Sequence, residues 1–86
     1  MSFILGCTKY RGHYIVAGND AGQPTYQADQ QECANWCAVI TACQAWNFNS
    51  DDKSCWPKLY DGEKAYRENS PWISGTKSCA ANTGNC

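Results

Sequence analysis

The sequence predicts a small, disulfide-rich α+β domain in which one short helix, about residues 30–40, packs on an antiparallel sheet. Three features predict it. Seven cysteines occur in 86 residues, and four of them fall within Cys33–Cys55. Cys33, Trp36, Cys37 and Ile40 recur at i, i+3, i+4 and i+7, which places them on one helix face. Beyond Cys43, Ala45-Trp46-Asn47-Phe48-Asn49 alternates with the period of a strand.

A chain of this length makes one domain, residues 1–86. It buries only about 60–65% of the surface its unfolded form exposes, so an apolar interior alone is marginal and a covalent staple or metal is needed. Cysteine at this density is common in secreted chains and rare in reducing cytosol. A zinc module would show paired C-x-x-C knuckles or a Cys/His set. The chain has no C-x-x-C, and its one histidine, His13, lies far from the cysteine cluster. Disulfides are therefore expected, with no metal and no cofactor. The net charge of −1, with seven Lys and Arg scattered along the chain, lacks the basic stripe of a nucleic-acid surface. No apolar run approaches the length of a membrane span, so no membrane insertion is expected. Met1–Cys7 lacks the charged start and full apolar region of a signal peptide and reads as a first strand. Secretion would place the leader outside these residues.

Two apolar bursts, Phe3-Ile4-Leu5 and Tyr14-Ile15-Val16, are punctuated by Gly6, Gly12 and Gly18 and read as short strands. Residues 19–24 are rich in turn formers, and Thr25-Tyr26-Gln27 reads as an extended approach to the helix. Asp29 is a good N-cap, because its carboxylate can accept from the free amides of the first turn. Glu32 completes a capping-box-like pattern. Gln31 and Asn35 are expected to face away from the core. With Cys33 and Cys37 one turn apart on the buried face, both can reach the same underlying sheet. Trp46 and Phe48 share one face of the next strand, with Ala45 and Asn47 on the other, and Trp36, Trp46 and Phe48 are expected in the core. Asn49–Lys53 reads as a polar turn and Cys55–Tyr60 as the returning strand. Pro57 cannot donate to a ladder, which predicts an edge or a bulge there. Asp61-Gly62 is a turn signal, residues 63–71 read as a charged loop, Trp72–Lys77 as the last strand, and residues 80–86 as a short C-terminal tail.

The spacing C-x3-C-x5-C-x11-C over Cys33–Cys55, the Ala45–Asn49 alternation and the "CW-x-K" at the fourth cysteine resemble a PAN/Apple domain. Gly18-Asn19-Asp20, the capped helix and Ser74–Cys79 ("SGTKSC") fit the same layout, so the resemblance covers a core of about residues 7–79. Seven cysteines leave many connectivities open, and six alone allow fifteen. The resemblance implies Cys33–Cys55 and Cys37–Cys43, and its Apple branch adds a bridge between the chain ends, here Cys7–Cys79. The chain departs from the pattern at Pro57, where an aliphatic residue is usual, and at Cys86, an odd cysteine outside it. Chain entropy assigns about 2.5 kcal/mol to Cys37–Cys43, about 3.5 to Cys33–Cys55 and about 4.5 to Cys7–Cys79. Such sums rival the whole stability of a small domain.

No Ser, Cys or carboxylate stands at triad spacing from His13, which reads as a strand residue, so no catalysis is expected. Asp51, Asp52 and Asn49 offer oxygens to calcium but lack a long alternating ligand set, and read as a solvated hairpin turn. The aromatics are more informative, since four Trp and five Tyr exceed what a small core needs. Trp56, Tyr60, Tyr66 and Trp72 flank a polar loop, and such rings stack on sugars or anchor protein partners. With Arg67 they form the candidate ligand-binding set; Lys64, Glu68 and Asn69 are further polar candidates. The resemblance implies a secreted, non-catalytic module recognising a glycan or an extracellular protein, with loops around 19–24, 49–53 and 60–71 making contacts. The alternative is a structural subunit of an extracellular matrix, appendage or filament, self-associating through strand edges and an intermolecular bridge at Cys86. An inhibitor or toxin is the third class, and the loops hold no segment resembling a reactive site.

Overall fold

The structure, a computed structural model, describes residues 9–15, 20–60, 62–66 and 68–79. The expected strand at Phe3–Leu5, the tail, and Cys7, Asp61, Arg67 and Cys86 lie outside the described residues. Among the described residues the chain runs β1 (Lys9–Arg11), β2 (His13–Ile15), β3 (Thr25–Tyr26), α1 (Gln30–Val39), β4 (Ala45–Asn49), β5 (Ser54–Lys58), β6 (Lys64–Tyr66) and β7 (Trp72–Thr76), then a 3-10 turn at Lys77–Cys79. One antiparallel sheet has the order β1-β7-β4-β5-β3, and β2 pairs with β6 in a separate two-stranded ribbon.

The helix starts where the sequence places it. Asp29 is extended, and its Oδ1 accepts from the Glu32 amide at 2.9 Å. It ends at Ile40, whose extended backbone stops the helical ladder while its amide still donates to the Cys37 carbonyl. The Ile40 carbonyl in turn accepts from the Cys43 amide at 3.0 Å and the Lys77 ammonium at 3.3 Å, so a helix-end acceptor is satisfied from the far end of the chain. The buried residues of α1 are Cys33, Ala34 and Cys37, whereas Trp36 and Ile40 are partly buried at the edge of the core. Gln31 and Asn35 do not face away. Gln31 Nε2 donates to Asn35 Oδ1 and to the Cys79 carbonyl at 2.8 Å, because the 3-10 turn docks against that side of the helix.

Disulfides Cys33–Cys55 and Cys37–Cys43 join α1 to β5 and to the residues entering β4. Only the first reaches a strand; the second closes a short loop at the end of the helix. Cys79 is also disulfide-bonded, and Cys7, its expected partner, lies outside the described residues. Around these sulfurs pack Ala34, Trp46 and Phe48. The Trp46 indole lies on Gly75, where any β-carbon would sit inside its ring contact, and its Nε1 donates to the Thr76 carbonyl at 3.0 Å.

In β4, Ala45, Trp46, Asn47 and Phe48 are all buried, so both faces of the strand are covered. The helix covers the face of Trp46 and Phe48, and the β2–β6 ribbon covers that of Asn47. The ribbon reaches this face because the chain leaves β1 at Gly12, whose φ of 77° suits glycine and lets β2 fold back across the sheet. Two strands differ from expectation. Lys9–Arg11 is a strand, and Lys64–Tyr66, read as loop, pairs with His13–Ile15. Their charged side chains hide a strand whose backbone is recruited by its neighbour.

Pro57 sits within β5 opposite Trp46, with the register unbroken from Ala45↔Lys58 to Phe48↔Cys55, so there is no bulge. In a strand, a residue's nitrogen and carbonyl point to the same side. The Pro57 carbonyl accepts from Ala21 N at 2.8 Å, so its nitrogen also faces away from β4 and the missing donor costs no β4 bond. β3 covers only the first half of β5, and residues 20–21 pass along the second half.

Candidate functional site

The ribbon does not seal the whole sheet face. Where it stops, a cavity of about 210 Å³ is lined by Tyr14, Ile15, Asp20, Asn47, Trp56, Lys58 and Trp72. A shallower hollow of about 460 Å³ adjoins it, lined by Tyr14, Ser70, Pro71 and Trp72. The two share Tyr14 and Trp72, so together they make one cleft.

Strand alternation sets the floor and walls. Asn47 and Trp56 face each other across β4 and β5, and Lys58 lies two residues further along the same side of β5. Asn49 pairs with Trp72, which brings the β7 indole to that face. The ribbon supplies Tyr14, whose ring lies 5.9 Å from that of Trp72 at an angle of 48°. The Trp56 indole is oriented from below: its Nε1 donates to Ser54 Oγ at 3.1 Å. Two strands and a ribbon thus hold three aromatic rings around one opening.

The polar groups are equally fixed. Asn47 Oδ1 accepts from Ile15 N at 2.8 Å and its Nδ2 donates to the Ile15 carbonyl at 3.0 Å. Lys58, only 3% exposed, donates to Asp20 Oδ1 at 2.7 Å. Asp20 is 41% exposed and is held beside β5 by a backbone bridge to Lys58.

Of the sequence-predicted residues, Trp56 and Trp72 meet in this cleft. Tyr60 and Tyr66 do not line it and are 53% and 61% exposed. Tyr66 is in β6, with its ring 4.8 Å from His13. Arg67 lies outside the described residues. Lys64 stands 4.3 Å over the Tyr10 ring, Asn69 occupies a left-handed turn position, and Glu68 is exposed in that turn. His13 is a strand residue whose Nδ1 pairs with the Arg11 carbonyl. Asn49–Lys53 is a hairpin turn organised by Asn49 Oδ1, which accepts from the Asp51 and Asp52 amides. Asp52 accepts from the Ser54 hydroxyl and amide, which hold its carboxyl below the usual range. Among the described residues no group of three His, Cys, Asp or Glu is placed to hold a metal ion.

Sequence reasoning missed Tyr14, Ile15, Asp20, Asn47 and Lys58 as one site. A signal existed for Lys58, because period-two alternation puts it on the same face as Trp56. No local signal links it to Asp20, 38 residues away.

The family model of the PAN domain matches residues 7–84. No curated protein and no solved structure matches the chain.

Proposed function

The chain belongs to the PAN domain family, and from that premise we propose that it is a secreted, non-catalytic recognition module that binds carbohydrate in the cleft between ribbon and sheet. PAN domains are modules that bind protein or carbohydrate in extracellular proteins, generally without catalysis. No helix among the described residues is long and apolar enough to cross a membrane.

The observation that carries the carbohydrate reading is the composition of the cleft: Tyr14, Trp56 and Trp72 around Asn47 and the Lys58–Asp20 pair. Sugar rings present apolar C–H faces and a rim of hydroxyls. Aromatic faces match the first, and a few fixed polar groups match the second. A protein partner would use a broad surface with a central anchor, about 800 Å² on each side for a standard interface. The cavity is smaller than the roughly 300–1,000 Å³ typical of drug-sized ligands, which suits one ring, and the adjoining hollow has room for the next residue of a chain.

The structural-subunit reading takes second place. Among the described residues the outer strands of the sheet are β1 and β3, and β3 pairs through only two residues. Short edge strands blunt edge-to-edge assembly.

The test is a glycan array followed by titration of any hit, with the disulfides intact. Trp72→Ala and Trp56→Ala each lose roughly tenfold or more in affinity, on the scale of one lost aromatic stack. Tyr66→Ala, outside the cleft, binds as the unmodified protein does. Loss of binding in Tyr66→Ala with retention in Trp72→Ala would move the site to the outer face of the ribbon.

A further inference from the structure

The side chain of Lys58 is almost wholly buried, yet among the described residues its ammonium group makes one hydrogen bond. An ammonium carries three donors. One goes to Asp20 Oδ1 at 2.7 Å, and among the described residues it makes no second hydrogen bond. Asp20 is 41% exposed and, among the described residues, its carboxylate accepts from one side-chain donor, which leaves further acceptor positions. Among the described residues the two are the only charged ones lining the cavity; the rest of its described wall is Tyr14, Ile15, Asn47, Trp56 and Trp72. Among the described residues the cleft therefore presents spare donors beside spare acceptors, with a lining whose formal charge sums to zero.

We propose that this cleft selects a neutral pyranose, with Lys58 and Asp20 reading two adjacent ring hydroxyls. Lys58 donates to the oxygen of one hydroxyl, and Asp20 accepts from the hydrogen of its neighbour. The inference rests on the carbohydrate reading of the same cleft and adds the charge class of the sugar.

The reason is electrostatic. The charge on Lys58 is already countered by Asp20, so a sugar carboxylate would meet no surplus positive charge. It would instead be brought beside the Asp20 carboxylate in a partly desolvated site, where like charges repel strongly. A vicinal diol brings no net charge and can both donate and accept. It completes the hydrogen bonding of the pair without breaking it, whereas removing one partner leaves a buried charge uncompensated.

The experiment pairs each methyl hexopyranoside that binds with its uronate counterpart, which has the same ring but a carboxylate in place of the hydroxymethyl group. Binding is read by calorimetry and by the indole resonances of Trp56 and Trp72. The neutral sugar is expected to bind at least roughly tenfold more tightly than its uronate, with affinity insensitive to salt. Asp20→Asn, which keeps the side-chain shape and frees the Lys58 charge, is expected to shift the ratio toward the uronate. A uronate that binds the unmodified protein as tightly as the neutral sugar overturns the inference while leaving the carbohydrate reading standing. An unchanged ratio in a folded Asp20→Asn protein overturns it in the same way. If no saccharide of either class moves the Trp56 and Trp72 resonances, the carbohydrate reading fails and the inference fails with it.

Discussion

The Asn47 amide clasps the Ile15 backbone from both directions, accepting from its nitrogen at 2.8 Å and donating to its carbonyl at 3.0 Å. One side chain on the central strand thereby acts as a missing strand partner for the ribbon that crosses it. Both residues are buried, so neither pair of groups has water to fall back on. The clasp also fixes the height of Tyr14 above the sheet, and hence one wall of the cleft.

Replacing Asn47 should therefore cost more than an ordinary polar substitution. Asn47→Ala strands the Ile15 N–H and C=O, each worth about 1–3 kcal/mol when left unpaired in the interior. Urea unfolding with the disulfides intact measures the loss, and hydrogen exchange at the Ile15 amide should accelerate before that in β4. Unaltered stability would mean that the ribbon is held by something other than this amide.

The disulfides should contribute with the logarithm of the loop length they close. Removing Cys33 and Cys55 together is expected to cost about 3.5 kcal/mol and removing Cys37 and Cys43 about 2.5, for loops spanning 22 and 6 residues. Reductant should lower the melting temperature sharply, because these sums are comparable to the total stability of a small domain. A melting curve indifferent to reductant would contradict the view that sulfur carries the core.

Gly75 should not tolerate a side chain. A β-carbon there overlaps the six-membered ring of Trp46, which is fully buried and tied by its Nε1 to Thr76, so the ring has nowhere to move. Gly75→Ala should destabilise by about 1–3 kcal/mol, the usual range for overpacking. Thermal unfolding measures it, and a variant as stable as the original would show that Trp46 can shift.

The Asp52 carboxyl should titrate below the ordinary aspartate range, because the Ser54 hydroxyl and amide both favour its ionised form. Its folded-state pKa lies below its unfolded value. Its stabilising contribution is thus present above the unfolded pKa and lost as pH falls through the depressed folded one. Since Asp52 is exposed, solvent screening keeps the effect small, and Asp52→Asn should remove it. Carbon-detected titration of the carboxyl reads the midpoint, and a value at or above the ordinary range would contradict the hydrogen bonding at the turn.

Parts of this architecture are visible in short stretches of chain. The Asp29 cap, the helix from Gln30, the Trp46/Phe48 face and the Asn49–Lys53 turn depend on contacts within a few residues, so spacing alone reveals them. The pairs Cys33–Cys55 and Cys37–Cys43 are implied by resemblance, since spacing leaves many alternatives. Lys64–Tyr66 was opaque for the opposite reason: its three residues have no strand pattern of their own and pair only because β2 lies beside them.

The amino-acid order by itself determined a stapled helix on a sheet, and it marked Trp56 and Trp72 as rings worth watching. Only the folded chain decided that they meet, that Tyr60 and Tyr66 stand apart, and that Asp20 and Lys58 form a pair. Helix caps and strand alternation are short-range and leave their period in the chain. A cleft is made where β2, β5, β7 and the segment at Asp20 converge, and no spacing along the sequence encodes the path that Gly12 allows β2 to take across the sheet.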